Sequence, residues 1–303
     1  MRSILLVTLS LTLVLGFVFL SAPRLYSKPS LDSGDRIRLF VSILPQAYFL
    51  ERVGGERVDV SVMVGRGHSP AMYEPRPKQM TRLSEARLYF RIGVPFENVW
   101  MQRISKVNPK MKVIDTRRGI ELLSMKADHH GKHQGDHDDG KGLKDPHIWL
   151  SLRLVKVQAQ NICDALIAED RAHSGYYQNN LRRFHSDLDR MDAEITETLA
   201  NLKTRKFMAF HPAWGYFARD YGLEQMPIEV EGKDPNARAL ADLIKRAKEE
   251  GIKVVFVQTQ FSAKSAETVA QAIGGRIVRI DPLAKDYLKN MRKIAETFRK
   301  VVQ

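Results

Sequence analysis

Apolar and polar positions along this chain fall into two repeated series separated by a long amphipathic stretch. In the first series, residues 37–44, 58–64, 88–92 and 112–115 are short runs rich in β-branched and aromatic residues, and they predict strands. Residues 46–53, 77–84 and 96–105 between them carry helical periodicity. The alternation returns after Lys206, with strands predicted at 207–210, 226–230, 254–258 and 277–280 and helices at 213–221, 237–250, 263–273 and 285–301. Such βα series form largely parallel sheets, so the chain is expected to be an α/β protein of two βα lobes, each built on a four-stranded sheet.

In the intervening stretch, Tyr177, Leu181, Phe184, Leu188, Met191, Ile195, Leu199 and Leu202 recur at steps of three or four. They draw one apolar stripe along a helix, with Arg182, Arg183, Asp187, Asp189, Asp192 and Glu194 on its wet side. Its position between the two series predicts a rigid bridge at about 174–202. Residues 28–150 are then the first lobe, 151–203 a helical region containing the bridge, and 204–303 the second lobe. A continuous helix offers no loop hinge, so small lobe tilts are expected rather than wide closure.

Residues 1–27 stand apart from this scheme. Arg2, an apolar run over 4–20 and the small-residue stop Ser21-Ala22-Pro23 have the form of a cleaved secretory signal, with an uncleaved anchor as the alternative. Export to a bacterial periplasm is the expectation. The single cysteine, Cys163, excludes an internal disulfide and any zinc site built from several thiolates, and its distance from the leader argues against a lipid anchor. The net charge of +13 comes from Lys and Arg scattered among acids, without an aromatic-basic motif, so it describes a solvated surface and not a nucleic-acid footprint.

The chemistry is concentrated in histidine. Residues 128–139 read DHHGKHQGDHDD and carry four of the nine histidines, His129, His130, His133 and His137, among four aspartates. Imidazoles and carboxylates suit borderline divalent cations, zinc above all. Gly131, Lys132 and Gly135 leave these ligands unfixed, so the loop reads as an accessory to a main site elsewhere. In open α/β sheets ligands bind beyond the carboxyl ends of strands. His68, His147, His211 and Asp281 fall at or near such ends or in a neighbouring loop, two from each proposed lobe, which would put a metal in the interlobe cleft. Three imidazoles and a carboxylate suit tetrahedral Zn²⁺, and a similar set with more oxygens suits Mn²⁺.

Four blocks carry a resemblance: GRGHSPAMYEPRPKQM at 65–80, DPHIWLS at 145–151, FMAFHPAWGYFARDYGL at 207–223 and DPL at 281–283. Their order and spacing over the mature chain resemble the zinc and manganese substrate-binding proteins of bacterial ABC transporters. The resemblance implies two lobes bridged by one long helix, a divalent metal in the cleft, and delivery to a membrane permease driven by a separate ATPase; a monomer with no catalytic role is expected. By position, His147 and His211 match ligand histidines and Asp281 matches the carboxylate of the second lobe. The histidine-rich insertion before DPH is typical of zinc-handling members and shifts the expected metal from manganese toward zinc.

One departure matters: the family's first ligand follows the loop proline, where this chain has Ala71, and a histidine stands three residues earlier at His68. His68 is expected to supply the imidazole from the same loop, helped by Gly65 and Gly67, with Glu74 or water as the alternative. Rival classes are an exported zinc hydrolase, a metal buffer and an adhesin. Against the hydrolase, there is no H-E-x-x-H helix, and against self-powered transport, no GxxxxGK[ST] loop.

Overall fold

The computed structural model describes residues 36–125, 144–229, 232–260 and 264–302. The histidine-rich loop at 128–139 and the leader at 1–27 lie outside them. In the first lobe β1 (Ile37–Ile43), β2 (Val58–Val64), β3 (Leu88–Arg91) and β4 (Lys112–Asp115) alternate with α1 (Leu44–Gly54), α2 (Pro77–Leu83) and α3 (Pro95–Val107). In the second, β5 (Lys206–Ala209), β6 (Glu224–Pro227), β7 (Val254–Gln258) and β8 (Arg276–Ile280) alternate with α6 (Gly215–Tyr221), α7 (Ala237–Glu249) and α8 (Lys264–Ala272), closed by α9 (Tyr287–Val301).

Every ladder is parallel, and the two sheets have the same order, β2-β1-β3-β4 and β6-β5-β7-β8. The first strand of each sheet is central, so the chain steps to one side of it and then to the other. That reversal is the topological switch point at which open α/β sheets bind ligands. The two-sided burial expected of parallel strands is visible in the second sheet. Phe207, Ala209, Val254 and Phe256 join one core, while Met208, Phe210, Val255 and Val257 join another under α7 and α8.

Between the lobes run α4 (Leu152–Glu169) and α5 (Ser174–Leu199). Ser151 caps α4 by accepting from the Leu154 amide at 3.1 Å, which meets one of the first-turn donors. The 26 residues of α5 span about 39 Å. Its stripe from Tyr177 to Leu199 is buried, against α1 of the first lobe, α4, and α9 of the second. The first core is therefore continuous from lobe to lobe through these helices. Leu202, the last member of the predicted stripe, is half-buried beyond the end of α5. Among the described residues no helix is long and apolar enough to cross a membrane.

Candidate metal centre

Of the residues just past the strand ends of the second sheet, His211, Glu229 and Gln260 line the cleft and Asp281 is hydrogen-bonded to Gln260. His211 follows β5 by two positions, Glu229 follows β6 by two, Gln260 follows β7 by two, and Asp281 follows β8 by one. The first two are held by extensions of the ladder, with the Ile228 amide donating to Ala209 and the Glu229 amide to Phe210, both at 2.9 Å. The buried Gln258 side chain fixes the backbone of His211 from both sides. Its Nε2 donates to the His211 carbonyl at 2.8 Å and its Oε1 accepts from the His211 amide at 3.4 Å.

His147 comes from the segment ahead of α4, in a turn made by Asp145-Pro146-His147. Asp145 Oδ1 accepts from the His147 amide at 2.9 Å and lies 2.6 Å from its Nδ1, so one carboxylate oxygen sets both the turn and the ring. Although this segment follows the first lobe in sequence, it is fastened to the second. Tyr216 donates to the Asp145 carbonyl at 2.9 Å, Trp149 Nε1 to the Pro282 carbonyl at 2.9 Å, and Tyr287 to the Trp149 carbonyl at 2.6 Å. Gly215 makes room for the turn, because a Cβ there would meet Asp145 Oδ2 at 2.9 Å.

The outcome is a pair of facing imidazoles. His147 Nε2 and His211 Nε2 are 3.2 Å apart, with the ring planes at 73°. On the outer side His211 Nδ1 lies 3.2 and 3.3 Å from the two oxygens of Glu229, which is only 4% exposed, just as His147 is backed by the buried Asp145. Each carboxylate assigns the proton of its imidazole to Nδ1, which leaves a lone pair on Nε2. Two lone pairs meeting at this distance repel unless a proton or cation stands between them. Burial, reinforced by the neighbouring His147, pulls the His211 pKa below its ordinary value despite the opposing hydrogen bond that its Nδ1 donates to Glu229.

His147 and His211 are thus the two predicted ligands that the fold brings together. Asp281 stands at the end of β8, where its Oδ1 accepts from Gln260 Nε2 and from the Leu283 amide, both at 2.9 Å. His68 is exposed; its Nε2 takes a hydrogen bond from Arg76 Nη2 at 3.1 Å, and its ring stands edge-on to Tyr73. Of the two glycines ahead of it, only Gly67 takes a left-handed angle, φ of 80°. Glu74 is exposed. Among the described residues no set of three His, Cys, Asp or Glu side chains is gathered tightly enough to enclose an ion. His129, His130, His133 and His137 lie outside the described residues.

The pair opens into a cleft of about 990 Å³ between the lobes, walled on the first-lobe side by residues such as Ser69, Pro70, Ala71 and Met72. Asp145 and Glu229 were not singled out by sequence reasoning. Asp145 stands two residues before a candidate ligand in an Asp-Pro turn, and Glu229 is an acid inside the run predicted as a strand at 226–230. A charged residue in such a run is a signal of a site, because it is tolerated there only with a partner.

Residues 39–301 match the family model described as ZnuA, zinc-uptake complex component A, periplasmic. Among curated relatives, the high-affinity zinc uptake system protein ZnuA of Bacillus subtilis (strain 168) is 28% identical over 82% of this chain and 80% of its own length. The zinc-binding protein AdcA of Streptococcus pyogenes serotype M3 is 27% identical over 93% of this chain, which spans only 59% of that longer relative. A crystal structure of ZnuA aligns with 89% of this chain and 100% of its own at a TM-score of 0.82 and 43% identity. A zinc-bound ZnuA lacking residues 138–173 in its own numbering aligns with 89% of this chain and 99% of its own at a TM-score of 0.81 and 42% identity. The laminin-binding protein Lmb of Streptococcus agalactiae, at 22% identity and a TM-score of 0.75 over 88% of this chain and 100% of its own, shares the fold.

Proposed function

The chain belongs to the family of periplasmic zinc-uptake complex component A proteins, and we propose on that premise that it binds zinc in its interlobe cleft and delivers it to an ABC permease for import. The observation that supports this reading is the His147–His211 pair. Two nitrogens bound to one tetrahedral zinc at 2.0–2.1 Å stand about 3.3 Å apart, and the two Nε2 atoms are already separated by 3.2 Å. Each ring is turned for that role by its own carboxylate, which accepts from Nδ1 and leaves Nε2 facing the other imidazole. Nitrogen ligands of this kind favour zinc over manganese, which prefers oxygen.

Asp281 supplies the third ligand in this proposal. The fourth position belongs to His68 once it leaves Arg76, or to Glu74 or water. His129, His130, His133 and His137 add weaker zinc sites that feed the cleft. The protein acts as a receptor and not as a hydrolase, since the buried carboxylates nearest the pair are occupied with the imidazole Nδ1 atoms. It works as a monomer in the periplasm after removal of residues 1–27, and a separate ATPase powers the permease.

Chelator-competition titrations of the untagged, metal-stripped protein test this reading. One tight zinc site per chain, weaker manganese binding and a clear loss of affinity in His68→Ala are expected. Absence of a tight site, or tighter manganese than zinc, contradicts it. Full affinity in His68→Ala would remove His68 from the ligand set and leave that place to Glu74 or water.

A further inference from the structure

We propose that Gln260 is a metal-selectivity residue, which holds the Asp281 carboxylate to a single free oxygen and so favours four-coordinate zinc over manganese. The inference rests on the reading of Asp281 as a ligand in the cleft.

Asp281 is fixed from several directions. Asn290 Nδ2 donates to its carbonyl at 2.7 Å, and the Pro282 carbonyl that follows is taken by Trp149. On the side chain, Oδ1 accepts two hydrogen bonds, from Gln260 Nε2 and from the Leu283 amide. A carboxylate oxygen offers about two lone-pair directions, so Oδ1 is saturated and only Oδ2 remains for a metal. A monodentate carboxylate suits the four ligands of zinc, whereas manganese prefers a larger oxygen shell of the kind a bidentate carboxylate supplies.

Gln260 is the adjustable member of the two donors, because the Leu283 amide is set by the turn itself. Its amide orientation is forced: the reverse orientation would set Oε1 against Asp281 Oδ1, two acceptors in contact. The cost of that orientation is visible, since the buried Oε1 has no hydrogen-bond partner among the described residues. Gln260 also lines the cleft, next to Pro282 and Leu283. Removing its donor frees one lone pair on Oδ1 and permits two-oxygen binding by Asp281.

The test uses the full mature chain without a tag, stripped of metal, as wild type, Gln260→Met, Gln260→Leu and Asp281→Asn, with zinc and manganese affinities from chelator competition. Both Gln260 variants are near-isosteric and lack the donor, so either one serves if the other folds poorly. The expected result is a zinc-to-manganese preference reduced by about tenfold, the lower end of what loss of an outer hydrogen-bond partner produces, mainly through tighter manganese binding. X-ray absorption of the manganese-loaded variants should show an added oxygen neighbour, a change that a merely structural role would not produce. An unchanged preference in folded Gln260 variants, with Asp281→Asn impaired, overturns the proposal alone. Wild-type affinities for both metals in Asp281→Asn overturn it together with the place of Asp281 in the site.

Discussion

The carboxyl ends of the two sheets occupy equivalent places in one topology and are finished in opposite ways. In the first lobe they are sealed. Glu97, fully buried, accepts from Ser42 Oγ at 2.6 Å, from the Ile92 and Gly93 amides at 2.9 and 2.8 Å, and from Arg91 at 3.3 Å. Gln46 closes the neighbouring gap by donating to the Phe90 carbonyl at 3.2 Å. In the second lobe the corresponding ends carry His211, Glu229 and Gln260 into the cleft, with Asp281 hydrogen-bonded behind Gln260. A switch point therefore provides a place for a site and does not make one. The polar groups of the first lobe satisfy one another and stabilise it, while those of the second include two imidazoles whose Nε2 atoms face each other at 3.2 Å.

This contrast makes stability and affinity separable. Glu97→Ala leaves several donors and Arg91 without their buried acceptor, and should destabilise the apo protein by about 3–5 kcal/mol in urea unfolding while zinc affinity of the folded fraction stays near wild type. A loss below about 1 kcal/mol, the net worth of one ordinary hydrogen bond, would mean that the seal is not what distinguishes the first lobe. The converse is expected at the other end. His211→Ala should weaken zinc by more than the roughly 100-fold upper range for outer-partner mutations, and barely lower the melting temperature of the apo protein. Glu229→Gln keeps the shape but not the charge behind His211, and should cost about 10–100-fold in zinc affinity; a result equal to wild type would show that the tautomer of His211 is set by other means.

The smallest expected effect is the pH dependence. Burial lowers the His211 pKa, so at mildly acidic pH the folded protein binds fewer protons here than the unfolded chain. Its contribution to stability is therefore lost as pH falls from about 6.5, the unfolded value, toward the lower folded value. Zinc should dissociate only at and below that lower folded value, because in the folded protein the cation and the proton compete for Nε2 there. Apo melting curves between neutral and mildly acidic pH should be flatter in His211→Gln, and identical slopes would contradict the assignment.

Much of this architecture was legible before the structure, because parallel strands buried on both faces write uninterrupted apolar runs and α5 writes one long stripe. The strand ends could then be located, and with them His211 and Asp281. Side-chain direction was less legible. His68 lies in the predicted loop, yet its ring sits against Tyr73 and Arg76 instead of the imidazole pair. His147 was assigned to the first lobe by sequence order, although hydrogen bonds from Tyr216, Trp149 and Tyr287 bind its segment to the second. Such contacts join residues far apart in the chain, and no local periodicity encodes them. Glu229 was hidden inside a run read as strand, which ends at Pro227, before the acid is reached.

The attachment of His147 to the second lobe through Tyr216, Trp149 and Tyr287 places both imidazoles on one side of the cleft, facing a first-lobe wall that includes residues 69–72 and 93–95. The central claim is therefore that this fixed pair is the core of the tightest zinc site. Zinc X-ray absorption on protein loaded with one equivalent tests it directly, in wild type and in the His147→Ala/His211→Ala double variant. A four-coordinate zinc with at least two imidazoles is expected in wild type, and loss of that signature together with tight binding in the double variant. An unchanged spectrum and affinity in the double variant would place the primary site elsewhere and contradict the account.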